Sequence, residues 1–136
     1  MDLENRVTRL EDIEAIKQLK ARYCEICDDD HNPDLITTIF TQDGVWEGDG
    51  IGRAEGHAEI KALFEGFQKS IKFSQHMVKN PIIDVDGDTA TARWYFFGTF
   101  KFYKRIRPAG NPRATMRPTR KPKINGASSI SRLHHR

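Results

Sequence analysis

The apolar residues of the first hundred positions change their spacing several times, and each spacing predicts a different element. Between positions 10 and 26 they recur at steps of three or four, which is typical of an amphipathic helix. Thr8 and Glu11 have the spacing of a capping box, so we predict a first helix over about residues 8–28. Asn32 followed by Pro33 predicts the N-cap and first turn of a short second helix. A third apolar stripe predicts a helix over about residues 56–70.

Two long strands joined by a tight turn are predicted after the third helix. Apolar and polar residues alternate over about residues 73–85 and again over about residues 88–100. Asp86-Gly87 between these segments is a strong hairpin signal, because glycine adopts the positive φ that a two-residue turn requires. A shorter strand is predicted at about residues 45–47. Helices and antiparallel strands together indicate the α+β fold class.

The position of this turn decides which side chains of the hairpin are predicted to share a face. The register that follows from it places His76 opposite Phe97 and Val78 opposite Tyr95, so we expect these four on one face. The apolar parity changes at Asn80-Pro81. Because proline cannot donate to the strand ladder, we expect a β-bulge at that point.

The formal net charge of +3 is the sum of two very different segments. Residues 1–100 contain 11 Lys and Arg against all 19 Asp and Glu, a net charge of −8. Residues 101–136 contain the other 11 Lys and Arg with no acidic residue, a net charge of +11, and four of the six prolines. Since this second segment has no apolar periodicity, we predict a domain at 1–100 and a disordered basic tail at 101–136.

The same composition restricts the partners and the compartment of the chain. No stretch approaches the roughly 20 apolar residues of a membrane helix, and the N-terminus lacks the layout of a signal peptide, so we expect a cytoplasmic protein and no membrane partner. The basic tail could bind phosphates with a steep salt dependence. It has few aromatic residues for stacking on bases, so we do not expect a nucleic-acid partner.

Two polar features of the domain could carry chemistry. Asp28-Asp29-Asp30 ends the first predicted helix, where like charges and the helix dipole disfavour ionisation; the alternative is a solvated acidic loop. His76 lies within a predicted strand and could carry a proton near neutral pH, or be a half-buried structural histidine. An aspartate bonded to one ring nitrogen would make the other nitrogen a better base, but spacing alone does not bring these residues together.

Three other motifs are assigned no chemistry. Cys24 and Cys27 form a CxxC pair without the further ligands that zinc requires, and they fall late in a helix rather than at its N-terminus. The acidic run at 84–88 lacks the glutamate that closes a calcium loop. Gly50 and Gly52 are too few for a phosphate-binding loop. We therefore predict neither a metal site nor a cofactor.

The order and spacing of several short motifs over residues 8–100 resemble the SnoaL-like branch of the nuclear-transport-factor-2-like superfamily. The motifs are Tyr23-Cys24-Glu25-Ile26-Cys27-Asp28, Asp43-Gly44-Val45-Trp46, Gly56-His57-Ala58-Glu59-Ile60 and His76-Met77-Val78-Lys79-Asn80. The resemblance implies helices packed on a curved antiparallel sheet in a cystatin-like cone around an apolar pocket, often in a homodimer. The family continues with two further strands where this chain has its basic segment, so the resemblance implies an incomplete sheet.

The resemblance also implies a function and a set of site residues. Relatives such as scytalone dehydratase and hexachlorocyclohexane dehydrochlorinase use an Asp–His pair without a cofactor, and Asp28 and His76 match those positions. Counting back from Phe40 instead favours Asp29 as the acidic member. The implied function is a lyase or isomerase acting on a small apolar cyclic molecule; the alternative is a non-catalytic binding or dimerisation module. The residues expected to line the pocket are Tyr23, Trp46, Val78, Asn80, Tyr95 and Phe97.

Overall fold

A computed structural model describes residues 1–104 and the short strand at 128–130. These residues form three helices and five strands paired antiparallel, and the predicted α+β class is confirmed. The elements are α1 (Leu3–Asp28), α2 (Pro33–Ile36), β1 (Val45–Gly48), β2 (Gly52–Glu55), α3 (Gly56–Ser70), β3 (Ile71–Asp86), β4 (Thr89–Phe102) and β5 (Ser128–Ile130).

The helices follow the local signals, except at the start of α1. The Asp2 side chain caps α1 by accepting a hydrogen bond from the backbone N–H of Asn5 at 2.8 Å, so the capping box predicted at Thr8 is wrong and lies inside the helix. At α2 the Asn32 side chain accepts from the backbone N–H groups of Asp34 and Leu35, as the sequence predicts. Helix α3 has the predicted bounds.

The strands form two separate antiparallel sheets among the described residues. One contains β1 and β2, and β2 is a strand that the sequence pattern did not predict. The other has the order β3-β4-β5, with β5 paired against Ala90–Ala92 of β4. The long β3–β4 hairpin therefore forms most of this second sheet.

The register predicted for this hairpin is wrong. The turn residues are Gly87 and Asp88, because Asp86 pairs with Thr89, and Gly87 has the positive φ of 56° that its place in the turn requires. The new turn moves the partner of each β3 residue by two positions and the irregularity between Lys79 and Ile82 takes one back, so His76 lies opposite Gly98 and not opposite Phe97. A shift of one residue turns every side chain of a strand to the other face, so Tyr95 and Phe97 do not share the face of His76.

The predicted β-bulge at Asn80-Pro81 is confirmed. The pairing shifts between Lys79 and Ile82, and Asn80 has a positive φ of 53°. Two residues of β3 here oppose one residue of β4, so Ile83 returns to the face that carries His76 and Val78. The bulge thus keeps Val78, Ile83 and Val85 on one face despite their change of parity.

The core lies where the end of α1 meets α2, α3 and the β1–β2 hairpin. Its largest fully buried side chains are Phe64, Ile16, Ile36, Ile60 and Cys27. Half-buried residues that pack against this core include Tyr23, Trp46 and Phe67. The C-terminal end of α1 packs into this core through Ile26 and Cys27, and this packing positions the aspartates at 28–30.

The predicted division at residue 100 falls inside β4, which continues to Phe102. Within the predicted tail, Ser128–Ile130 form β5. The rest of the segment predicted to be disordered, residues 105–127 and 131–136, lies outside the described residues. None of the helices at 1–104 is long and apolar enough to cross a membrane.

Candidate functional site

The Asp28 carboxylate and the His76 ring are in direct contact. Asp28 is the last residue of α1, and its Oδ1 atom lies 2.7 Å from Nδ1 of His76. The backbone N–H of His76 donates to the same carboxylate, at 3.0 Å to Oδ1 and 3.1 Å to Oδ2. Asp29, the alternative acidic residue, instead accepts a hydrogen bond from Asn32 at 2.9 Å. Of the two candidates, Asp28 is the one placed against His76.

Ser74 fastens β3 to the end of α1 beside this pair. Its hydroxyl is buried, donates to the backbone carbonyl of Cys27 at 3.0 Å, and lies 3.5 Å from Oδ1 of Asp28. Ser74 and His76 are two residues apart on β3, so their side chains lie on the same face of the strand. Both project toward the end of α1. The sequence analysis missed Ser74, although its spacing of two from His76 carried the signal.

A second histidine, also missed by the sequence analysis, packs against the pair. His31 is 4% exposed, and its ring centroid lies 5.7 Å from that of His76 and 5.2 Å from that of Phe67. Burial, and then the neighbouring His76, lower the pKa of His31, which favours the neutral imidazole. Sequence pattern gave no signal for this placement, because it depends on how the chain leaves α1.

The chain leaves α1 through two consecutive residues with left-handed backbone. Asp30 and His31 have φ values of 51° and 47°. This conformation costs roughly 1–2 kcal/mol for a residue with a Cβ. The backbone N–H of His31 donates to the carbonyl of Cys27 at 3.1 Å, which folds the loop back under the helix and directs the His31 side chain into the core.

Two phenylalanines of β4 surround the His76 ring. Its centroid lies 5.3 Å from that of Phe96 and 5.2 Å from that of Phe100, the second at an edge-on angle of 84°. Tyr95 and Phe97, which the sequence analysis expected here, are 68% and 58% exposed on the opposite face. The aromatic residues of β4 beside His76 are therefore Phe96 and Phe100, and not Tyr95 and Phe97.

The other residues expected to line the pocket are Tyr23, Trp46, Val78 and Asn80. Trp46 donates through Nε1 to the hydroxyl of Tyr23 at 2.8 Å, and its ring centroid is 5.6 Å from that of Phe67, which also packs on His31. Burial raises the pKa of Tyr23, so its hydroxyl remains protonated. Val78 is half-buried on the face of His76, and Asn80 is exposed in the bulge.

Two surface depressions lie along α1, one of them at its C-terminal end. A cleft of about 260 Å³ lies beside the pair and includes Asp28, His31, Ser74 and Tyr103 in its lining. A larger, more open depression of about 650 Å³ follows the outer side of α1 and contains none of the expected site residues. The smaller cleft is therefore open to Asp28, whereas His76, Phe96 and Phe100 are not in its lining.

The two cysteines are free and buried, so the CxxC motif forms no disulfide. Burial raises the pKa of Cys27 to about 12, so its thiol is protonated near neutral pH and is a poor nucleophile. One group among residues 1–104 could hold a metal ion: Cys27, His31 and His76 offer ligand atoms within 4.8 Å of one another.

Comparisons with known proteins identify the family of the chain. A family model for SnoaL-like domains matches residues 8–117. Three solved structures from Novosphingobium aromaticivorans are similar. A proposed aromatic ring hydroxylase has 30% identity and a TM-score of 0.64, over 68% of this chain and 67% of that one. An NTF2-like protein with a cystatin-like fold has 30% identity and a TM-score of 0.61, over 75% and 73%. A proposed scytalone dehydratase has 24% identity and a TM-score of 0.66, over 76% and 68%. The family match confirms the resemblance and continues beyond residue 100: this chain belongs to the SnoaL-like family.

Proposed function

We propose that this SnoaL-like small-molecule pocket protein is a cofactor-free lyase or isomerase in which His76 acts as the general base. The observation that carries the proposal is the 2.7 Å contact between Nδ1 of His76 and Oδ1 of Asp28. An ionised carboxylate can accept hydrogen bonds but has no proton to donate. The proton between the two residues is therefore carried by Nδ1 of His76 and points to Asp28. Nε2 is then the unprotonated nitrogen that can take a proton from a substrate.

Asp28 would orient and charge-balance the base and would not itself exchange the proton. The carboxylate is anchored by the backbone N–H of His76 as well as by its ring, which fixes the ring relative to the end of α1. Once Nε2 takes a proton, the adjacent negative charge stabilises the imidazolium that results. Help of this kind from a positioned base is worth on the order of 10²–10⁴-fold in rate.

The surroundings favour an apolar, ring-containing substrate. Phe96 and Phe100 flank His76, and Phe67 lies on the far side of His31. Apolar walls with a few polar groups are typical of small-molecule sites. One of the similar structures is a proposed scytalone dehydratase. A dehydratase removes water from its substrate, and that reaction can begin when a base removes a proton.

A probe of proton abstraction can test this proposal before the natural substrate is identified. We suggest nitrobenzisoxazole, an apolar bicyclic compound. A base removes its ring C–H proton, the electron pair forms the nitrile, and the N–O bond breaks to release a coloured phenolate. With a chelator present, we expect the protein to catalyse this elimination and His76→Gln to reduce the rate by about 10²–10⁴-fold.

Two further variants complete the experiment: a control substitution of a histidine outside the pair, and a conservative substitution of Asp28. His57 donates from its ring to the carbonyl of Phe40 at 2.7 Å and is not part of the pair, so His57→Gln should keep the full rate. Asp28→Asn should lower the rate and leave binding of the probe intact. Equal rates for the unmodified protein and His76→Gln would refute the proposed base.

The second candidate is the non-catalytic binding module. The observation in its favour is the openness of the site, since the Asp28 side chain is 32% exposed and Phe96 is 47% exposed. A site of this kind would bind apolar ring compounds without accelerating the elimination. Saturable binding of the probe with a rate no higher than that of free imidazole would favour this function.

A further inference from the structure

We propose that Cys27, His31 and His76 form a binding site for a divalent metal ion of the zinc class. Each residue offers one ligand atom, a thiol sulfur or an imidazole nitrogen, and these atoms lie within 4.8 Å of one another. Cys27 and His31 are 1% and 4% exposed, and the His76 side chain is 10% exposed. Thiolate and imidazole are the ligands that zinc prefers in proteins, and the Cys27 thiol releases its proton to solvent when the zinc–sulfur bond forms.

The distances suit a tetrahedral ion after small side-chain rotations. With zinc–sulfur bonds of about 2.3 Å and zinc–nitrogen bonds of about 2.0–2.1 Å, tetrahedral ligand atoms are roughly 3.3–3.7 Å apart. The observed limit of 4.8 Å requires the widest pair to approach by about 1 Å. Rotation of the Cys27 and His31 side chains can supply this while the His76 ring keeps its bond to Asp28.

Asp28 supplies the outer interaction that such a site needs. Histidines that bind a metal through one nitrogen usually donate the other N–H to a carboxylate, which fixes the ring and strengthens the bond. Nδ1 of His76 is engaged by Asp28, so Nε2 is the nitrogen available to a metal. The three consecutive aspartates and the negative end of the α1 dipole add a local field that favours a cation.

The proposed ligands are not the CxxC pair that the sequence spacing indicates. Cys24 forms the apparent CxxC pair with Cys27 but is not in the cluster, and the two histidines come from the loop after α1 and from β3. Three protein ligands leave a fourth position for water or another small molecule. Because Nε2 of His76 would bind the ion, a bound metal and a free base exclude one another at this residue.

Cobalt(II) can report on the proposed ligands directly, because a thiolate bound to it gives a near-ultraviolet charge-transfer band and a tetrahedral site gives intense visible bands. The full chain, reduced with a phosphine and freed of metal by a chelator, should bind one equivalent of Co²⁺ with both signatures. Addition of Zn²⁺ should then remove them. No charge-transfer band at one equivalent of Co²⁺ would overturn the proposal.

Matched variants assign the ligands. Cys27→Ser should abolish the charge-transfer band, whereas Cys24→Ser, which changes the neighbouring buried thiol, should retain it. His31→Gln should remove a ligand and His57→Gln should have no effect. Asp28→Asn should keep the band but weaken metal affinity by about 10–100-fold. Loss of the band in Cys24→Ser with retention in Cys27→Ser would contradict the assignment.

A measurement on the unmodified chain covers the case in which a variant fails to fold. In spectra of the imidazole nitrogens, addition of Zn²⁺ should shift the resonances of His31 and His76 and leave those of His57 in place. Shifts confined to histidines other than His31 and His76 would show that the metal binds elsewhere, and the proposed site would be rejected.

Discussion

Replacing Asp28 by asparagine removes one charge from the helix end without changing the size of the side chain. Asp28 accepts from the backbone N–H and the ring Nδ1 of His76, and bonds to a charged acceptor contribute about 1.5–3 kcal/mol each when well shielded. The amide oxygen of asparagine can still accept one of them. The Asp28 side chain is 32% exposed, so solvent screening places the loss near the lower end of this range.

An opposing effect reduces the cost. Removing the charge relieves repulsion from the adjacent aspartates and from the negative end of the α1 dipole, which is worth about 0.3–1 kcal/mol. The net expectation is a loss of about 0.5–1 kcal/mol in the free energy of unfolding, because the lost bond exceeds the relieved repulsion. For a domain of this size, each kcal/mol lowers the melting temperature by about 4–8 °C.

Urea denaturation near pH 7.5, followed by tryptophan fluorescence, measures this loss directly. Asp30→Asn is the matched control, since it removes the same charge at a residue with a φ of 51°, a conformation that asparagine tolerates well. We expect that control to leave stability unchanged or to raise it slightly. If Asp28→Asn destabilises the protein no more than Asp30→Asn does, the claim that Asp28 anchors β3 to α1 is wrong.

Three further predictions concern the core, the helix and the hairpin. Phe64→Ala should lower the free energy of unfolding by about 3–5 kcal/mol, because Phe64 is 0% exposed; a loss below about 1 kcal/mol in urea denaturation would contradict its place in the core. Burial lowers the pKa of Lys20, so the unfolded chain binds more protons between that lowered pKa and about 10.4, and stability rises with pH there. Lys20→Met should therefore be more stable at pH 7, with an advantage that shrinks toward pH 10; a constant difference between the urea curves would refute this. A Cβ on Gly98 would lie 2.5 Å from Cζ of Phe96 and 2.8 Å from Cε2 of Phe100, so Gly98→Ala should displace both rings and shift the His76 ring resonances, with an unchanged circular dichroism spectrum. Unshifted resonances would show that these rings do not enclose His76.

The features that sequence predicted well depend on neighbouring residues. The start of α2 follows from an asparagine cap before Pro33, and both bounds of α3 follow from its apolar stripe. The bulge at Asn80-Pro81 followed from a change of parity together with a missing N–H. In each case the physical cause lies within a few residues of its effect.

The lining of the site could not be predicted in the same way, because it depends on the turn and the bulge acting together on the register. Moving the turn from Asp86-Gly87 to Gly87-Asp88, with the bulge between, exchanged Tyr95 and Phe97 for Phe96 and Phe100 around His76. His31 was missed for another reason, since no periodic pattern encodes two successive left-handed residues after a helix.

The separation of 48 residues between Asp28 and His76 has a practical consequence for finding a ligand. Groups so far apart along the chain meet only when the chain is folded, so a molecule that requires both binds the native state alone. Such a molecule stabilises the fold by mass action, by about 2.7 kcal/mol at a hundred times its dissociation constant. A rise in melting temperature across a library of apolar ring compounds would therefore identify ligands of this site before any reaction is known, and the loss of that rise in a variant of either residue would show that the compound uses the pair.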